Sequence, residues 1–108
     1  MSAPFVTTLR SRKSTIHLTD DTANAITIRV EMPEVWDVVA IVVAPSEPVV
    51  AVKIRALQAL FPEFDHHEDF VVKLRGWEIL DEAASLVDAG AIDGSILLLT
   101  HRRRRPVR

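Results

Sequence analysis

Apolar positions in this chain recur with two periods, and the points where the period changes mark out the elements. Ile26, Ile28, Val30 and Met32 alternate with Thr27, Arg29 and Glu31, which is the two-residue period of a strand with one buried face. Pro33-Glu34 interrupts the ladder, because proline brings no amide to it. A second β-rich run, Val38–Val43, follows closely enough to form an antiparallel hairpin with the first. The period then lengthens. Val49, Val52, Ala56 and Leu60 recur at helical spacing, and Val50, Leu57 and Phe61 widen the same stripe. Pro45-Ser46-Glu47-Pro48 reads as the start of this helix, with Ser46 as N-cap, Glu47 at the positive dipole end and Pro48 in the first turn. Pro62 ends it.

Beyond an acidic loop, Glu63–Asp69, the strand period returns. In Phe70–Leu74, residues Phe70, Val72 and Leu74 point one way and Val71 and Lys73 the other. Arg75-Gly76 marks a turn into a short strand, Trp77–Leu80. Leu86, Val87 and Ala91 suit a tight helical turn, Asp93-Gly94 is a turn dipeptide, and Ser95–Thr100 forms a last strand with Leu97 and Leu99 inward. The order is ββαββ: one helix packed on one mixed sheet, a two-layer α+β domain over residues 26–100. Residues 1–25 lack a sustained period and read as a flexible arm, although Thr15–Leu18 has some strand character. Residues 101–108 form a basic tail.

Several pieces, in this order and spacing, resemble the ubiquitin-like β-grasp superfamily across roughly residues 26–100. They are the hairpin Ile26–Val43, the helix start Pro45-Ser46-Glu47, the Val52-Lys53 pair, the turn Leu74-Arg75-Gly76, and the segment from Leu86 to Ser95. That last stretch is similar to the L-x-x-x-G-I-x-D-G-S signature of such domains, with Ala91 where isoleucine is usual. The resemblance implies a β-grasp fold and leaves the activity open, since fold does not imply function. Conjugated and sulfur-carrying members end in Gly-Gly. Here the last strand runs into His101-Arg102-Arg103-Arg104-Arg105-Pro106-Val107-Arg108, so the resemblance implies a non-conjugated member, and a modifier or sulfur carrier would require processing. The main partner-binding patch of ubiquitin centres on an isoleucine at the position where this chain has Lys73. The nearest functional analogy is to the small YukD-like accessory proteins of bacterial type VII secretion.

Composition narrows the functional classes. The 108 residues contain no cysteine, which removes thiolate nucleophiles, disulfides and Cys-ligated zinc, and fits a reducing, cytoplasmic setting. No apolar run approaches the ~20 residues of a membrane span, and residues 1–25 lack the apolar core of a secretory signal. Residues 26–100 carry five Lys and Arg against thirteen Asp and Glu, whereas the last eight residues carry five arginines and no acid. His66-His67 lie in the acidic loop, where adjacent imidazoles do not converge on one ion as an i, i+4 pair does. Ser46 and Ser95 are accounted for by cap and turn, and Gly76, Gly90 and Gly94 stand alone, so no nucleophile constellation or phosphate loop is expected. Neither a catalytic site nor a cofactor or metal is expected, and the function class is a protein-interaction module.

Three candidate contact regions follow. On the second strand, Val39, Ile41 and Val43 fill the core face, yet Val38, Ala40 and Val42 on the other face are also apolar. The resemblance to ubiquitin implies that this strand lies at a sheet edge, which invites pairing, so either the N-terminal arm covers it or another chain does, a second copy being one candidate. Trp77 is expected near the sheet face carrying Val71, Ile96 and Leu98, beside Lys73 and Arg75, where it either anchors an interface or folds over Leu80. Arg102, Arg103, Arg104 and Arg105 fit phosphate or anionic lipid, an acidic protein, or a solvated end. The lack of interleaved aromatic residues and the acidic domain behind them count against nucleic acid.

Overall fold

The computed structural model describes residues 15–21 and 23–102. Among these residues six strands form one sheet: β1 (Thr15–His17), β2 (Ile26–Met32), β3 (Asp37–Val43), β4 (Phe70–Leu74), β5 (Trp77–Glu78) and β6 (Ile96–His101). Helix α1 (Val49–Leu60) crosses one face, and a single turn, α2 (Leu86–Ala89), precedes β6. The sheet order is β1-β3-β2-β6-β4-β5. The hairpin β2–β3 is antiparallel, with Ile28 opposite Ile41 and Val30 opposite Val39, and β6 enters the middle parallel to β2, with Leu97 opposite Val30. One main helix on a mixed sheet is the expected α+β arrangement, but three strands precede α1 and three follow it, where ββαββ was expected.

Alternation decides what is buried. Ile28, Val30 and Met32 of β2, Val39, Ile41 and Val43 of β3, Phe70, Val72 and Leu74 of β4 and Leu97 and Leu99 of β6 face Val49, Val52, Ala56, Leu57 and Leu60 of α1. Side chains that stand opposite one another in a ladder share a face, so the strand period and the helical stripe close on one core.

Two expectations change. Among the described residues the sheet begins at Thr15 rather than Ile26, because β1 pairs in parallel with β3, Ile16 standing opposite Ile41. Ser46 is also not the helix cap. Pro48 occupies the N-cap position without a side-chain bond, and the first amides of α1 are satisfied from a distant loop. Val49 N–H donates to Ala84 O (2.9 Å) and Val50 N–H to Glu82 O (2.8 Å). The exchange is reciprocal, since Leu86 N–H donates to Glu47 O (2.9 Å) and Val87 N–H to Pro45 O (3.0 Å). Two helix starts therefore cap each other through backbone, which satisfies the orphan amides that each would otherwise expose.

The Leu86–Ser95 signature has a physical reading. Leu86 is wholly buried, and Gly90 ends α2 with φ +100°, a left-handed position at which a side chain is strained. Asp93 Oδ1 accepts from Thr27 N–H (2.8 Å), Gly94 N–H donates to Thr27 O (2.8 Å), and Ser95 Oγ accepts from Ile92 N–H (2.9 Å). The motif delivers β6 into register beside β2.

Leu97→Ala or Ile28→Ala should each lower the unfolding free energy by ~2–5 kcal/mol, since each leaves a cavity in the core. Urea denaturation checks this; wild-type midpoints for both would contradict the strand phases.

Candidate interaction surfaces

The outer face of the sheet, opposite α1, is built by the same alternation. Register places Val38 of β3, Glu31 of β2, Leu98 of β6, Lys73 of β4 and Glu78 of β5 in one transverse row. Ala40, Arg29 and Ile96 form the next row. Val38 and Ile96 are exposed, while Ala40, Val42 and Leu98 are half-buried. Beyond Ile96, a shallow groove of about 450 Å³ continues between Arg75, Ile92 and Ser95. Small aliphatic groups set among mixed charges make this face able to bury apolar area while charge pairs fix orientation.

Three sequence expectations are corrected here. Val71, expected among the contact residues of this face, is only 5 % exposed. It lies opposite Thr100 in the ladder and lines a groove with Glu34, Lys73, Glu78, Thr100 and Arg102, which come from several segments. Trp77 does not share a face with Ile96 and Leu98. Arg75 and Gly76 both have positive φ (54° and 86°) and make a two-residue hairpin turn, which sets Trp77 opposite Leu74 on the helix side of the sheet. Trp77 does not fold over Leu80 either, since the two are 80 % and 84 % exposed. Finally, the edge of β3 is not open along its length. At Ala40–Val42 it is paired with β1, and Leu18 N–H donates to Val42 O (2.8 Å). Of the two coverings anticipated for this strand, the chain's own arm supplies one.

The arginine run is described only at its start. Arg102 N–H donates to Asp69 O (2.6 Å), its Nε donates to Glu68 O (3.2 Å), and its Nη1 stands 3.5 Å from Glu78 Oε2. Arg103, Arg104 and Arg105 lie outside the described residues. Nearby, Glu34 Oε2 accepts from the Thr100 hydroxyl (2.8 Å) and the His101 amide (2.9 Å). His67 Nε2 lies 3.5 Å from the Glu68 carboxylate. Among the described residues, no three His, Asp or Glu side chains gather as a metal-binding group.

Two residues that pattern alone did not single out stand apart. Trp36, at the tip of the β2–β3 hairpin, is almost wholly exposed with a left-handed φ of 54°. Lys53, by contrast, is 1 % exposed, and its Nζ donates to both oxygens of Glu82 (2.9 and 3.1 Å). Its signal was present, for it sits four residues from Val49 and from Leu57, inside the apolar stripe.

No known protein family's sequence profile matches the chain, and no curated protein does. Solved structures do. The ubiquitin-like domain of Arabidopsis thaliana protein At2g32350 superposes with a TM-score of 0.62 at 16 % identity, over 86 % of this chain and 94 % of that one. Caldiarchaeum subterraneum ubiquitin gives a TM-score of 0.61 at 18 % identity, over 74 % and 96 %. The N-terminal ubiquitin-like domain of the 4931431F19Rik protein gives 0.59 at 20 % identity, over 79 % and 82 %. The fold is thus the ubiquitin-like β-grasp.

Burial pushes the Glu34 carboxyl up, but the His101 amide and Thr100 hydroxyl outweigh it and hold the group below its ordinary 4.5. A carboxylate lowered on folding stabilises fully above its unfolded value and loses that contribution as pH falls through the folded one. Glu34→Gln should therefore be less stable than wild type at neutral pH, and the difference should shrink on acidification below 4.5. Denaturant titrations at the two pH values check it; a pH-independent difference would show that the carboxylate charge contributes nothing.

Proposed function

We propose that this chain is a non-catalytic protein-interaction module that binds a partner protein through the outer face of its sheet. The observation carrying the reading is the register that gathers Val38, Ala40, Val42, Ile96 and Leu98 around Arg29, Glu31 and Lys73. Among the described residues, both helices lie on other sides of the fold from this face. Fully burying two such side chains contributes ~3–6 kcal/mol before ordering costs, and the surrounding charges supply specificity and orientation.

The edge of β3 is the weaker route. Another chain, including a second copy, would have to displace β1 from Ala40–Val42. Face-on binding needs no such exchange. The role that fits is that of an adaptor or accessory subunit in the cytoplasm, of the kind represented by YukD-like proteins. Conjugation is not part of the proposal.

Val38→Lys with Ile96→Lys places two cations on exposed positions and should leave the melting transition intact while weakening partner capture about tenfold. Quantitative pulldown from native cells, with Gln58→Lys on the exposed side of α1 as control, reads the effect. Loss of the same partner from both variants, or from neither, would contradict the outer-face assignment.

A further inference from the structure

The opposite edge of the sheet carries a second surface, which shares only Glu78 with the outer-face row and does not rest on the outer-face reading. A groove of about 690 Å³ lies under β5, with Leu74, Ile79, Ala84 and Ala89 as its apolar lining and Trp77 as one wall. Glu78, Asp81 and Asp88 line it as well, against one cation, Arg75. The Arg75 guanidinium is already engaged, Nη2 donating to Gly90 O (2.9 Å). The groove thus combines apolar lining with an acidic rim, and Glu78 already stands beside the guanidinium of Arg102.

Backbone geometry adds a separate argument. Among the described residues the sheet order ends at β5, which is two residues long. Ile79 N–H still donates inward to Val72 O (2.8 Å). In an antiparallel ladder inward and outward pairs alternate, so the amide and carbonyl of Glu78, opposite Lys73, point away from β4. An extended chain laid along β5 would meet this backbone, with Trp77 and the groove beneath its side chains.

We propose that the β5 edge and Trp77 groove form a docking site for an extended segment of a partner protein that carries arginine or lysine on both sides of a small apolar residue. The apolar residue enters the groove against Trp77, and the flanking cations meet Glu78 on one side and Asp81 and Asp88 on the other. An acidic segment would face three carboxylates and is excluded by like charge.

The probe is a synthetic peptide with the sequence of residues 102–108, an arginine-rich stretch interrupted by Pro-Val, titrated into the full chain by calorimetry. A counterpart with glutamate for every arginine serves as control. In Trp36→Phe, which leaves Trp77 as the remaining tryptophan, emission should shift to the blue as the basic peptide binds. Trp77→Ala, a change at an exposed position, should weaken binding about tenfold. Asp88→Asn should weaken it less and reduce its salt dependence. Equal affinity of wild type and Trp77→Ala, or equal binding of the glutamate peptide, would overturn the proposal. So would binding that appears only after residues 103–108 are removed, since the chain's own arginine segment would then compete for the groove.

Discussion

The ion pair between Lys53 and Glu82 constrains much of the remaining structure. An ammonium inside a core costs several kcal/mol unless a counter-charge and hydrogen bonds meet it, by roughly the accounting for buried ion pairs. Lys53 finds both in one carboxylate, and that carboxylate belongs to the long connection between β5 and α2 rather than to a regular element. The requirement of a buried cation therefore fixes a loop. Once Glu82 is held, its carbonyl and that of Ala84 lie against the start of α1, and the reciprocal bonds from Leu86 and Val87 follow. α2 is thereby placed, Leu86 enters the core, and the turn at Asp93–Gly94 brings β6 to β2. Ala84 of the Trp77 groove lies on this fixed connection, and Asp88 and Ala89 lie on the α2 turn that follows it.

The parts of the fold that were legible in the sequence are those set by local period. β2, β3, β4 and β6 show two-residue alternation and α1 shows a stripe, so their inward residues could be read directly. β1 is three residues long, too short for a period, and its place depends on an unpaired edge some two dozen residues away. Proximity in the sequence favours Ser46 as the cap of α1, whereas the actual acceptors are carbonyls from Glu82 and Ala84. Lys53 was readable in principle, as a cation at a stripe position.

The candidate contact surfaces were legible to a lesser degree. Val38, Ala40, Val42 and Leu98 follow from alternation alone and do share the outer face with Lys73. Trp77 was assigned to the wrong side because its face depends on the number of residues in the turn, and two left-handed residues at Arg75-Gly76 set it opposite Leu74. The burial of Val71 does not follow from its own strand's period: it lines a groove with Glu34, Glu78, Thr100 and Arg102, which come from separate segments. One β-grasp scaffold thus offers two distinct surfaces. One is a broad outer face of aliphatic and mixed-charge residues, and the other is a narrow acidic groove at the far edge.

Native-state hydrogen exchange on Lys53→Met tests the governing role of the buried pair most directly. Methionine keeps the apolar stem and removes the charge, leaving Glu82 without its partner. The amides of Val49, Val50, Leu86 and Val87, which bridge the two helix starts, should lose protection together. Those of Arg29 and Ile79, which bond to Ser95 and Val72, should be affected less. Local opening of this kind has its own free energy, separate from global unfolding. Undiminished protection of the four bridging amides, or an equal loss at all six, would contradict the account.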